Sequence, residues 1–149
     1  MTTQQTSTPH RTPTLHDSRI DTKIVLSGLW ITMLFVFAYV DIFGFWRADV
    51  IQGALAREVP ITGFTVDQRF LVFTTLYTLI PSLMVAVCLI APARANRVAN
   101  LAVSVLYAAS VIVNMIGDSW IYYLLGSAVE VVLLFAIARI AWAWPRHAA

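Results

Sequence analysis

A single carboxyl, Glu130, stands ten residues into a run that opens at Trp120 and is otherwise uncharged as far as Ala138. At ~1.5 Å per helical residue it lies ~15 Å from the start of that run, half-way through a ~30 Å hydrocarbon layer. An ionised acid there costs about 2.5–3.5 kcal/mol on insertion scales. Two readings follow. Glu130 is a proton-exchanging or cation-attracting group facing the interior of a helix bundle, or it is a neutral carboxyl donating one hydrogen bond across helices, worth ~0.6–2 kcal/mol. Thr32, Thr78, Ser82 and Tyr107 fall at comparable depth in the other apolar runs, so a binding ring of these four with Glu130 is geometrically open. Serine and threonine are equally used as glue between spans. Pro81, nearly level with Glu130, cannot donate to the carbonyl of Tyr77, which makes it a hinge, a binding notch or a tolerated membrane proline.

A second group collects nearer the boundary. Asp41, Asn114 and Asp118 approach one level from the first run, the third run and the turn after it, and could form an outer polar cluster. Asp41 is equally placed to be solvated or to pair with Arg47, and three oxygen ligands at a surface are too few to indicate calcium. Other chemistries drop out. Cys88 stands alone, so there is no disulfide and no paired-thiol metal or redox site, and its expected role is an apolar filler. The histidines His10, His16 and His147 lie in the tails, which excludes an intramembrane haem ligand pair and a Ser-His-Asp triad within the bundle. The glycines are scattered and form no phosphate loop. We therefore expect no enzyme, no cofactor and no bound metal. The net charge of +2 is spread over every loop without a basic stripe, so no nucleic-acid partner is expected.

These residues are positioned by four long apolar segments. The 149-residue chain is 59% apolar and 12% charged, against about 45–50% and about 25% in ordinary soluble domains, and its mean hydropathy is +0.75. So small a domain cannot hide that much apolar surface from water, so part of its solvent must be lipid. Ile24–Val40 continues through Asp41 to about Phe45; Phe70–Ile90, Val98–Gly117 and Trp120–Ala138 follow. Each is long enough to cross a bilayer as a helix, and none alternates with the period of a strand. The expected fold is an all-α integral membrane four-helix bundle with spans at about 24–45, 66–91, 96–117 and 119–141. Residues 1–22, rich in Thr, Ser, Gln and Pro, read as a disordered tail too polar to begin a signal peptide, so the first span is a retained anchor. Residues 142–149 form a second tail.

Local signals set the connections. Thr65-Val66-Asp67-Gln68 has the form of a capping box with Thr65 as N-cap. Pro92 and Asn96 bracket a tight turn, and Gly117-Asp118-Ser119 forms another with Asp118 or Ser119 as N-cap. Such short links make the last three spans antiparallel neighbours. Within the long loop 46–65, Arg47 to Glu58 gathers Val50, Ile51, Ala54 and Leu55 on one face, which predicts a short amphipathic helix in the headgroup layer. It would lid the bundle, contact a partner or close over a ligand, and Pro60 and Gly63 then turn the chain. Lys and Arg give the orientation. Arg11, Arg19, Lys23, Arg94, Arg97, Arg139 and Arg146 fall on one side, and only Arg47, Arg57 and Arg69 on the other. Basic residues stay on the cytoplasmic side, so both termini are expected in the cytoplasm.

Tyr39-Val40-Asp41-Ile42-Phe43, the long outer loop, and Arg94-Ala95-Asn96-Arg97-Val98-Ala99-Asn100 at the start of the third span resemble a family of small bacterial four-span membrane proteins of unknown function. More distantly, the chain is similar to DoxX-like four-helix membrane proteins. The resemblance covers roughly residues 20–140 and implies a four-helix bundle in a bacterial plasma membrane, without an activity or site residues. Small multidrug transporters also have four spans and one membrane glutamate, but carry it in the first span. The leading expectation is a non-enzymatic multi-pass plasma-membrane protein, with the lipid bilayer and a second copy of itself as partners, acting through helix faces or the outer loop. The alternative is a small proton-coupled transporter with Glu130 as the exchanging group and an unidentified small-molecule ligand. A membrane enzyme acting on lipid or quinone comes third.

Overall fold

The computed structural model describes residues 20–59 and 62–144. Residues 1–19 of the N-terminal tail, Pro60 and Ile61 in the long loop, and residues 145–149 of the C-terminal tail lie outside the described residues. Five helices follow one another: α1 (Thr22–Gly44), α2 (Ala48–Ala56), α3 (Gln68–Ile90), α4 (Ala93–Met115) and α5 (Ile121–Trp142). All except α2 are long and apolar enough to cross a membrane. The expected all-α bundle of four long helices with a short helix in the first loop is what forms. Chain direction alternates along α1, α3, α4 and α5, so the bundle has one end carrying α2 and another from which both termini emerge. Helix α1 packs between α3 and α5, and α4 packs mainly on α5 and touches α3.

The helix ends differ from the sequence expectations in ways that side-chain reach explains. Asp21 caps α1 by accepting from Lys23 N at 2.7 Å, so ordered structure begins within the segment read as tail. Asp67, rather than Thr65, caps α3, because its carboxylate reaches Phe70 N at 2.8 Å. A carboxylate also suits the positive end of the helix dipole better than a hydroxyl. Thr65 instead forms an isolated antiparallel bridge with Glu58, closing the loop after α2. Pro92 caps α4 directly, and Asn96 lies inside that helix instead of ending a turn. Gly117, at φ 92°, makes the α4–α5 turn, and Asp118 accepts from Trp120 N at 2.8 Å while Trp120 takes the N-cap position. That positive φ is one a side chain would strain.

The core is richest towards the termini end. Leu26, Trp30, Cys88, Leu134, Ile137 and Ala141 are fully enclosed. Among them runs a polar network that sequence reading missed. Trp30 Nε1 donates to Asn100 Oδ1 at 2.7 Å, and the Cys88 thiol donates to the same oxygen at 3.3 Å. Asn100 Nδ2 donates to the carbonyl and to Oδ1 of Asn96, and Asn96 Nδ2 donates to the Cys88 carbonyl at the end of α3. Lys23 Nζ donates to the Ala91 carbonyl at 2.8 Å, and Arg97 Nη2 to the Trp142 carbonyl at 3.3 Å. Each of the four long helices is thereby tied to a neighbour at this end. Two asparagines four residues apart, Asn96 just ahead of the third apolar run and Asn100 inside it, were the available signal, since that spacing stacks them on one helix face.

Nearer the α2 end, α1 and α5 approach closely at Gly126. A β-carbon there would overlap the Val40 side chain, so only glycine permits this approach. The short helix α2 covers nothing: it has no buried residue, and Leu55 is 82% exposed. It therefore does not lid the bundle. It is anchored instead through Arg47, just before its first turn.

Candidate functional site

The buried face of α5 comprises Ser127, Glu130, Leu134, Ile137 and Ala141, at the i+3/i+4 spacing expected from the sequence. This register turns Glu130 into the bundle, where it is 2% exposed. Its Oε1 is the buried side-chain nitrogen or oxygen left without a hydrogen-bond partner among the described residues. Such an atom forfeits about 1–3 kcal/mol or more relative to a satisfied one. Buried polar groups are otherwise nearly always paired, so the exception calls for a physical account.

Glu130 borders a cavity of about 220 Å³. Asp41 and Asn114 line its upper part, Tyr77, Tyr123 and Ser127 its middle, and Phe37 and Val111 supply apolar wall. Below it lies a second void of about 10 Å³, bordered by Pro81, Tyr107, Thr78 and Met33, with room for about one water. Among the described residues, no Lys, Arg or His lines either space.

Most hydroxyls around the cavity are already engaged. Thr74 donates to its own helix at Phe70 O, and Tyr123 donates to the Asn114 carbonyl at 3.4 Å. Ser110 donates to the Tyr107 carbonyl, which leaves its oxygen to accept from Tyr77 at 2.7 Å. The carbonyl freed by Pro81 is not empty: Tyr107 OH, from α4, donates to Tyr77 O at 2.5 Å. The rings of Tyr77 and Tyr107 stack at 4.7 Å between centroids. Proline's missing donor is thus replaced across the helix interface, and α3 runs unbroken through Pro81.

The expected binding ring comes together only in part. Glu130, Tyr107 and Thr78 border the same small void, with Thr78 donating to Thr74 O. Thr32 and Ser82 do not: both are exposed and donate to carbonyls of their own helices, Gly28 and Thr78. At 100° per residue they fall on the outward faces of α1 and α3, a difference that depth alone did not reveal. The outer cluster also divides. Asp41 and Asn114 face the cavity, whereas Asp118 is bound by Arg47 Nη1 at 3.0 Å. Arg47 makes its other ion pair with Asp49 at 2.6 Å, rather than with Asp41, and lies over the Trp120 ring at 4.7 Å. It is 7% exposed, a buried cation joining the α1–α2 junction to the α4–α5 turn. Hydrogen bonding to Arg47 holds the Asp49 carboxyl below the usual carboxylate range. Among the described residues no group of three or more His, Cys, Asp or Glu could hold a metal ion.

No curated protein and no solved structure matches this chain. A sequence profile described as a family of unknown function (DUF6326) does match it, over residues 15–149.

Proposed function

The chain belongs to the DUF6326 family, whose description assigns no activity, and we propose from its own residues that it is a small multi-pass plasma-membrane carrier that exchanges protons at Glu130 through the cavity. Membrane insertion is supported by burial: only 11 to 28% of each long apolar stretch is covered inside the bundle, so most of its side chains need an apolar solvent. The excess of Lys and Arg at the termini end supports cytoplasmic termini, and hence a cavity that opens outward. Trp46 and Trp120 at one end and Trp142 at the other suit two interfacial belts. The uncovered apolar side of α2 suits the outer headgroup layer.

The observation that carries the reading is the unpartnered Oε1 of Glu130, enclosed and bordering a cavity. A carboxyl acting as glue would spend its oxygens on a neighbouring helix, and this oxygen meets none. It keeps its capacity for a proton or a ligand. The reading is non-enzymatic: holding and releasing a proton at Glu130 requires no bond-breaking chemistry from the other groups that line the space.

Difference infrared spectroscopy of the carboxyl stretch, on full-length protein in lipid, tests this. A band that responds to bulk pH and is missing in Glu130→Gln is expected. A band unchanged between about pH 4 and pH 10, or one that persists in Glu130→Gln, overturns the reading.

A second reading, assembly with another copy of the chain, is favoured by α3. It is the least covered long helix, with 11% of its apolar stretch buried, and it presents Leu71, Thr75, Leu79 and Ser82 on an open groove. Light scattering in detergent would report the oligomer directly.

A further inference from the structure

We propose that the cavity above Glu130 takes a compact organic cation, a protonated amine carried on a small apolar body; this rests on the reading that the cavity opens to the outer water. Three independent features of the space point the same way.

The first is charge. Two carboxyls, Asp41 near the mouth and Glu130 at the base, border the cavity, and no basic residue lines it among the described residues. The nearby cation of the α2 end, Arg47, is committed to Asp49 and Asp118. An anion entering would meet two acidic groups and no counter-charge.

The second is hydrogen-bond polarity. Thr74, Tyr77 and Tyr123 already donate elsewhere, whereas Glu130 Oε1 is an acceptor with nothing donating to it. A ligand that satisfies this site must bring an N–H or O–H donor, and a charged donor makes the stronger bond to a carboxylate.

The third is the wall. Phe37 and Tyr77 lie 6.2 Å apart with their rings tilted at 46°, and Val111 completes an apolar side. Aromatic faces attract an ammonium group and accept its hydrocarbon body, whereas a calcium ion would require six to eight oxygen ligands. A cavity of about 150 Å³ accommodates benzene, so about 220 Å³ is matched to a ring or short branched chain bearing one ammonium group. On loading, the ammonium N–H takes the place of the carboxyl proton at Oε1. The proton leaves to the outer water, and an ion pair forms with no covalent bond made beyond that exchange.

The test compares three molecules of one shape: benzylammonium chloride, benzyl alcohol and sodium benzoate, titrated calorimetrically into full-length protein in lipid nanodiscs. Benzylammonium is expected to bind at least about tenfold more tightly than benzyl alcohol, with benzoate giving no saturable heat. Glu130→Gln should weaken benzylammonium about tenfold or more and leave benzyl alcohol unchanged, and Asp41→Asn should weaken benzylammonium by a smaller factor. Equal affinities for the amine and the alcohol overturn the proposal, as does benzylammonium binding that is indifferent to both substitutions. If Glu130→Gln does not fold, the Asp41→Asn comparison and the amine-to-alcohol ratio decide. A pH-responsive Glu130 infrared band without amine preference rejects the organic cation and leaves proton exchange standing. An unresponsive band together with amine preference rejects proton exchange and retains the cation site.

Discussion

Glu130 and Asn100 show opposite solutions to a polar group inside a greasy bundle. Asn100 is fully enclosed, and both ends of its amide are engaged, Oδ1 by Trp30 and Cys88 and Nδ2 by Asn96. Glu130 is nearly as enclosed and leaves Oε1 free. The first arrangement stabilises and the second is available for use. Asn100→Leu should therefore lower thermal stability in detergent by about 1–3 kcal/mol, because Trp30 Nε1 and Asn96 Oδ1 lose their partner. Thermal unfolding followed by tryptophan fluorescence reads this, and an unchanged midpoint would contradict the structural role of the network. Glu130→Gln, which removes no cross-helix bond from Oε1, should unfold close to the wild type in the same assay. At this scale the sequence was partly legible. Glu130 stood out because one charge in an apolar run is conspicuous, and its depth followed from helix rise alone. Thr32 and Ser82 were misplaced because depth is one coordinate and facing is another, and α1 and α3 are apolar all round, so they give little sign of which side is inward.

At the scale of elements, the four long helices overlie the uncharged runs, but charge does not end them: α4 begins at Ala93 and carries Arg94 and Arg97 in its first turns, and α5 continues past Arg139 to Trp142. Their caps were less legible. Thr65 and Asp67 are both good cap residues, and the choice fell to Asp67 once the Glu58–Thr65 bridge had drawn Thr65 into the loop. The short helix α2 formed where its apolar face predicted, but the bundle leaves that face bare. What fixes α2 is Arg47, whose Nη1 and Nη2 reach Asp118 and Asp49. The Asp49 carboxyl is held below its ordinary value of 3.8 by this hydrogen bond. The linked stabilisation is therefore complete above that ordinary value and is lost as pH falls through the lowered native one. Amide exchange across residues 48–56, corrected for intrinsic rates, should stay slow from neutral pH to about pH 5 and quicken on acidification below about pH 3. In Asp49→Asn the acid-induced step should shrink. A step of equal size in that variant would place the latch elsewhere.

For the whole molecule, the two ends differ in kind. The termini end is closed by asparagine amides and by Lys23 and Arg97 reaching across to helix ends, whereas the α2 end holds a cavity flanked by Asp41 and Asn114. A carrier with cytoplasmic termini would thus be caught open outward. A reporter active only in the cytoplasm, fused after Ala149, should be active, and one placed in the loop after α2 should be silent; the reverse pattern would invert the access side. Hydrophobicity and charge placement act along the chain, so the number of long helices, their approximate limits and the bias of Lys and Arg could be read without coordinates. Rotation about each helix axis, the substitution of Tyr107 for the donor Pro81 lacks, and the choice of Asp118 and Asp49 over Asp41 by Arg47 depend on which neighbours meet in space. Those contacts join residues 30 to 71 positions apart, apart from the local Arg47–Asp49 pair. They are decided by packing four rods together, a three-dimensional constraint that no local pattern encodes.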